Sequence, residues 1–300
     1  MGCDRRTFLK GVAVATATAV TPASTARADN DKRVLPPEAI GLLYDATRCI
    51  GCKACVVACK KANDLAPDTH YVGDGLYDAP EGLNEHTKTV IQLYKDDDEM
   101  SFVKKQCMHC IDPACVNACM IGALKKEADT GLVWWRSDRC VGCRYCQVAC
   151  PFQVPKFEWT KQVPKIVKCE LCKHRLADGG QPACTEICPR QAVVFGKTRD
   201  LLADAHARIE KNPGLYNPTV YGEKELGGTQ CLYLAAKETP FENLGFHHSQ
   251  EEAVPLTQRT VQHGVYQGFV APAALYVALA FVMFRNRSTQ EPHDESGKGE

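Results

Sequence analysis

Residues 140–151 read Cys140-Val-Gly-Cys143-Arg-Tyr-Cys146-Gln-Val-Ala-Cys150-Pro151: four cysteines spaced by two, two and three residues, closed by a proline. The same spacing occurs at Cys49-Ile-Gly-Cys52-Lys-Ala-Cys55-Val-Val-Ala-Cys59. Two more runs, Cys107, Cys110, Cys115, Cys119 and Cys169, Cys172, Cys184, Cys188, keep the pattern with a longer gap before the third cysteine. Sixteen of the eighteen cysteines fall in these four quartets, leaving Cys3 and Cys231.

The tight runs have the spacing of bacterial [4Fe-4S] sites, where one run shares its fourth cysteine with a neighbouring cluster. Three thiolates on a tight loop can cap three irons of one cubane face. The fourth is expected to start a helix and point at the next cluster. Gly51 and Gly142 suit a close backbone approach, and proline after the last cysteine turns the chain away. Zinc takes two separated C-x2-C knuckles around one tetrahedron, which leaves no place for a third cysteine two residues on. Disulfides between cysteines so close in sequence seldom meet bridging geometry.

Composition agrees with a folded domain that handles electrons. Hydrophobic residues make up 45% and charged residues 24%, which excludes a disordered chain. Thirty-six basic and 36 acidic residues leave no global field for nucleic acid or anionic lipid. There is no nucleotide fingerprint, histidine metal constellation or nucleophile motif. Lys53, Arg144 and Lys173 lie inside cysteine runs, where each either is solvated or raises a cluster potential. His109 and His174 read as surface or supporting residues rather than ligands.

The two ends set the compartment. Arg5-Arg6-Thr7-Phe8-Leu9-Lys10, a weakly apolar run over 11–20 and Ala26-Arg27-Ala28 read as a twin-arginine signal over 1–28, cut after Ala28. Asp4 departs from the usual hydroxyl residue before the pair, and Cys3 leaves with the signal. Residues 265–284 carry no charge over a length of roughly 30 Å as a helix, enough to cross a hydrocarbon core. Arg285 and Arg287 place the tail, 285–300, on the cytoplasmic side. Folded export would let clusters be built in the reducing cytoplasm and carried out intact.

Between the ends, residues 123–135 predict two short strands around Asp129-Thr130-Gly131, and strands are also expected near 192–196 and 229–235. Cys231 in the last reads as a buried structural thiol. Residues 60–101 read as a long insertion whose acidic run, 96–99, is a solvated loop or else a partner contact. Tyr, Pro and Gly over 212–228 suggest an irregular arm.

Four such runs in this order resemble the four-cluster electron-transfer subunits of molybdopterin oxidoreductase and hydrogenase respiratory complexes. Within that group the chain is similar to the iron–sulfur subunits of hydrogenase-2 type [NiFe] uptake hydrogenases. The likeness lies in the two ends, in Gly41-Leu-Leu-Tyr-Asp-Ala-Thr-Arg-Cys49, Lys104-Lys-Gln-Cys-Met-His-Cys110 and Gly142-Cys-Arg-Tyr-Cys146, and in the arm: Tyr221-Gly-Glu-Lys-Glu225, Gly227-Gly-Thr-Gln230 and Pro240-Phe-Glu-Asn-Leu244.

The resemblance implies an α+β fold of two interleaved ferredoxin-like modules over 41–245, the second inserted at about 102–155. Linkers at 29–40 and 246–264 and one C-terminal transmembrane helix complete it. It implies four [4Fe-4S] clusters shared between runs: Cys49, Cys52, Cys55 and Cys188; Cys169, Cys172, Cys184 and Cys59; Cys107, Cys110, Cys115 and Cys150; Cys140, Cys143, Cys146 and Cys119. The first pair would face the catalytic partner and the second the membrane. Met120, where proline commonly follows the last cysteine, is a departure in that loop. The implied role is a relay with no active site of its own, at the periplasmic face of the inner membrane. It would run from [NiFe] small and large subunits to an integral membrane quinone-reactive subunit. Alternatives are the same relay for a formate, thiosulfate, polysulfide or sulfoxide enzyme, or a membrane-tethered zinc or disulfide protein.

Overall fold

The structure is a computed structural model describing residues 33–67, 80–97, 99–162, 164–246 and 250–287; the expected signal and the tail from residue 288 lie outside the described residues. Strand β1 (Ile40–Asp45) leads into the first cysteine run, which enters helix α1 (Ala54–Ala62). Strands β2 (Val90–Lys95) and β3 (Met100–Lys105) precede the second run and its helix α2 (Ala114–Asn117). Next come β4 (Leu124–Lys126), β5 (Val133–Trp135), the third run with α3 (Tyr145–Ala149), β6 (Lys156–Phe157) and β7 (Ile166–Val167). The fourth run carries α4 (Lys173–Ala177) and α5 (Ala183–Glu186). Strand β8 (Val193–Lys197), helix α6 (Thr198–Lys211), an irregular arm, β9 (Cys231–Leu234) and helix α7 (Val254–Arg287) follow.

Strand β1 is the centre of a three-stranded sheet, antiparallel to β8 and parallel to β9, with Leu42 opposite both Phe195 and Cys231. Period-two alternation sorts its faces. Leu43, Leu232 and Leu234 pack under Leu201 and Ala205 of α6. Leu42, Tyr44, Val193, Cys231 and Tyr233 turn the other way, toward Cys55, Cys107, Cys169 and Cys184. One sheet face is therefore sealed by a helix, and the other forms the floor under the cysteine loops. A separate cluster of Cys115, Leu124, Val133, Cys146, Phe157 and Ile166 surrounds the second and third runs. This second centre reaches β7, beyond the boundary near residue 155 expected from sequence.

The hairpins at 124–135 and the strands near 192–196 and 229–235 form as expected. The 60–101 segment differs from its expectation. Its C-terminal part is half of an antiparallel hairpin, with Val90 opposite Lys105 and Lys95 opposite Met100. Asp96 and Glu99 of the acidic run close that hairpin, the Asp96 N–H donating to the Glu99 carbonyl at 2.8 Å. Burial of Ile91 and Val103 against the cysteine-bearing core holds the hairpin in place.

Within the stretch expected as a linker, Phe246, Gln250 and Glu251 contact the rest of the chain. The Phe246 ring packs 4.6 Å from Tyr221 and 4.8 Å from Tyr233. The Gln250 and Glu251 carbonyls accept from the Leu226 and Gly227 N–H groups at 2.7 Å. The compact unit accordingly spans Arg33–Pro255, and α7 already begins at Val254. Within α7, Gly268–Asn286 is long and apolar enough to cross a membrane, with a mean hydropathy of 1.8.

Candidate metal centres

All four runs share one backbone device. The residue before the second cysteine is left-handed in each: Gly51 at φ 69°, His109 at 50°, Gly142 at 71° and Leu171 at 50°. This curls the chain so that successive thiols face one side. Gly51 needs its hydrogen for a second reason, since a Cβ would stand 2.2 Å from the Phe102 ring. His109 and Leu171 take the same conformation at a steric cost, and both are fully buried, so packing over-determines them.

A second left-handed residue, Lys53 or Arg144, stands at the start of α1 and α3 in the tight runs. In the longer runs Pro113 and Pro182 take that place before α2 and α5, and the Val116 and Thr185 N–H groups donate to their carbonyls. Each of these helices begins one residue before the third cysteine. The fourth lies at or past the helix end in three runs and within α1 in the first, so it does not start a helix as expected. The left-handed or proline residue sets the start, and that residue precedes the third cysteine.

Position four after the last cysteine supplies a donor to its sulfur in every run. Ala123 N and Ala192 N approach the Cys119 and Cys188 Sγ atoms at 3.1 and 3.3 Å. The Val154 N–H does the same for Cys150, and the Asn63 side-chain amide stands 3.7 Å from Cys59 Sγ. Such donors favour the charged sulfur and tune a cluster potential. Gly122 is left-handed at φ 63°, like Gln153 and Gln191 three residues after their own last cysteines. Met120 therefore leaves that loop with the geometry of its proline-bearing counterparts.

The runs meet in pairs, through α1 against α5 and α2 against α3. The Cys55 thiol feels Cys184, Cys49 and Cys188, and Cys59 feels Cys184 and Cys172. Cys110 neighbours Cys150, Cys107 and Cys115, and Cys146 neighbours Cys119, Cys143 and Cys140. Further sulfur neighbours join these groups in line: Cys55 with Cys184, Cys169 with Cys107, and Cys115 with Cys146. Cys52 and Cys143 are exposed, and every other described cysteine is buried or half-buried.

The donor set fits iron–sulfur cubanes. Burial pushes the Cys55 thiol up to about 11 and the Cys59 thiol up to about 12, and neighbouring sulfurs add to it. Thiolates form in such places only with strong positive charge beside them, as a metal core provides. Among the described residues no three His, Cys, Asp or Glu side chains converge tightly enough for one ion. A cubane takes each thiolate at a different iron and so accepts wider spacing than zinc does. All described cysteines are free thiols.

Sequence reasoning picked out Lys53, Arg144 and Lys173. Arg144 lies over the Trp159 ring at 3.9 Å, and Lys173 lies over Trp134 at 3.6 Å while pairing with Glu127. The cations deepest among the sulfurs are Lys104 and Lys168, which that reasoning missed, because lysine carries no sequence signal for burial. Burial works against the Lys104 ammonium, and attraction to Cys184, Cys55, Cys169 and Cys59 outweighs it, holding its pKa above the ordinary value. His109 is buried, and its Nδ1 accepts from the Val133 N–H at 3.1 Å. Burial, then the Lys168 and Lys126 ammoniums, hold its ring well below the usual histidine range, so it is neutral. His174 is exposed. Cys231 donates to the Cys107 carbonyl at 3.3 Å and is the buried structural thiol expected.

Residues 98–198 match the family model of a 4Fe-4S dicluster domain. The chain is 35% identical to the hydrogenase-2 operon protein HybA of Escherichia coli O157:H7 over 328 aligned positions, covering 98% of each chain. It is 34% identical to the formate dehydrogenase iron-sulfur subunit of Haemophilus influenzae over 230 positions, 74% of this chain and 70% of that one. The iron-sulfur subunit of the nitrate-inducible formate dehydrogenase of Escherichia coli K12 is 37% identical over 203 positions, 65% of this chain and 67% of that one. With sulfur quartets on a ferredoxin-like frame and this likeness over nearly its whole length, the chain belongs to the HybA family of iron–sulfur electron-transfer subunits of respiratory oxidoreductases.

Proposed function

We propose that this chain is the relay of a [NiFe] uptake hydrogenase, holding four [4Fe-4S] clusters between the catalytic subunits and a quinone-reactive membrane subunit. The ligand sets are Cys49, Cys52, Cys55 and Cys188; Cys59, Cys169, Cys172 and Cys184; Cys107, Cys110, Cys115 and Cys150; and Cys119, Cys140, Cys143 and Cys146. Each bound cluster supplies a site that takes up and gives back one electron. The line of sulfur neighbours from the first quartet to the last carries the reading. A unit of this size has a radius of gyration of about 17 Å, so four sites divide a long path into short ones.

The chain's own work is to bind, space and shield. Tyr44, Val193, Cys231 and Tyr233 exclude water beneath the first quartets, and Leu124, Val133 and Phe157 do so for the others. The exposed cysteines at the two ends are bordered by exposed apolar residues, Ile50 beside Cys52 and Val141 and Tyr145 beside Cys143. Those rims suit partner surfaces that exclude water where an electron enters and leaves. We assign entry to the Cys52 end and exit to the Cys143 end. The twin-arginine segment would export the folded chain, and α7 would anchor it with the main unit on the periplasmic side.

Likeness to formate dehydrogenase subunits gives the second reading, the same relay with another catalytic partner. Purification from membranes with whatever co-purifies decides between them. The hydrogenase reading expects a [NiFe] subunit, hydrogen-dependent quinone reduction and about sixteen irons per chain of this subunit. A molybdopterin partner with no hydrogen activity overturns it.

A further inference from the structure

Lysine is almost never fully buried unless it is paired. Lys104 is 0% exposed and Lys168 is 2% exposed. Among the described residues neither ammonium has a carboxylate partner. Lys104 Nζ donates to Thr89 Oγ1 and Gln106 Oε1, both neutral. Lys168 Nζ donates to the Val133 carbonyl and, at 3.0 Å, to the Cys169 carbonyl. Lys88 and Lys173, nearer the surface, pair with Glu170 and Glu127 in the ordinary way. An uncompensated buried charge costs more than neutral hydrogen bonds return, so these two ammoniums need anions in the interior.

The anions within reach are the cysteine sulfurs, and both lysines stand where successive quartets adjoin. Lys104 acts on Cys55 of the first quartet and on Cys59, Cys169 and Cys184 of the second. Lys168 acts on Cys115 and Cys150 of the third quartet while bonding to the backbone of Cys169 in the second. Charge is felt strongly in a dry interior, and a cation favours whichever neighbour holds the extra electron.

We propose that Lys104 and Lys168 are fixed counter-charges, each shared by two adjacent clusters, that raise the electron affinity of both neighbours together and keep the interior hops level. The inference rests on the four-cluster reading above. Each hop moves one electron, oxidising the donor cluster and reducing the acceptor by one; no bond forms or breaks and no proton moves. A counter-charge on one cluster alone would tilt the step, whereas a shared one lowers both sides of it.

The test is a redox titration of the purified complex, followed by electron paramagnetic resonance, with iron content measured in parallel. Lys104→Met should lower the electron affinity of both first-pair clusters at least tenfold, about 59 mV for a one-electron couple. The Cys119, Cys140, Cys143 and Cys146 cluster should stay where it was. Lys104→Arg keeps the charge and should restore both values. Gln106→Glu keeps the side-chain shape but pairs Lys104 with a carboxylate, so it should lower the same two clusters; it decides the matter if Lys104→Met fails to assemble. Lys168→Met should lower the second and third clusters. Full iron with unmoved potentials, or a shift in only one cluster of a pair, overturns the inference alone. Iron short of about sixteen per chain of this subunit, in the unsubstituted protein, overturns the four-cluster reading and the inference with it.

Discussion

Gly51 lies directly against Phe102, so that a Cβ on Gly51 would stand 2.2 Å from the ring. The contact ties the first cysteine loop to β3, the strand that leads into the second run. Gly51 also holds φ at 69°, where any other residue is strained. Gly51→Ala is therefore expected to cost about 1–3 kcal/mol of stability and to displace Cys49 and Cys52 from their common face. The check is iron content with the thermal unfolding midpoint. Gly82→Ala, where a Cβ meets nothing within 4 Å, should leave both unchanged; equal behaviour of the two variants would remove the argument.

Asp45 closes β1 with its side chain fully buried and accepts hydrogen bonds from Arg208 Nη1 and Tyr216 Oη, both at 3.0 Å. These bonds fasten α6 and the arm to the sheet just before the first cysteine loop. Asp45→Ala leaves Arg208 with Asp204 alone and removes a charged hydrogen bond, which should cost about 1.5–3 kcal/mol. Tyr216→Phe removes one hydrogen bond and should cost about 1 kcal/mol. Denaturant midpoints measure both. Comparable losses in the two variants would show that the charge is not what matters there.

The cysteine runs were legible because their spacing is a chemical requirement, and the hairpins after them because alternating apolar residues flank a turn. Helix α6 was missed although Leu201, Ala205 and Ile209 recur at four-residue steps, since most of its other positions are polar. The hairpin at 90–105 was hidden by the acidic residues between its strands, which dominate the local composition. Lys104 illustrates what sequence cannot carry. It follows inward-facing Val103 in β3, where alternation points it outward. It is buried only because the first and fourth runs, distant in sequence, fold over that side. The Asn63 amide on Cys59 could have been anticipated from the fourth-residue rule, but that rule is visible only once the four loops are superposed in mind.

Exchanging Arg5 and Arg6 for lysine tests the route of export. The twin-arginine pair is read by a receptor rather than for its charge, so the double variant should stay in the cytoplasm as a precursor. Cell fractionation with an antibody to this chain reads the outcome. Normal appearance at the periplasmic face would mean a general secretory signal, and the clusters would then need another account of where they are assembled.

Direction along the line of quartets is tested at its exposed far end. If the cluster of Cys119, Cys140, Cys143 and Cys146 is the exit, damage there should separate two activities. Cys143→Ser removes one ligand and shifts or destroys that cluster, so hydrogen-dependent quinone reduction should fall sharply. Hydrogen-dependent reduction of a soluble dye should largely persist, because a dye can collect electrons upstream in the catalytic partner. Ending the chain before Val265 should also impair quinone reduction, by loosening the assembly at the membrane, with iron content unchanged. The measurement is the dye-to-quinone activity ratio in membranes, set beside iron per chain. A Cys143→Ser variant that assembles stably yet loses both activities equally would move this cluster off the exit and place the electron's departure elsewhere on the line.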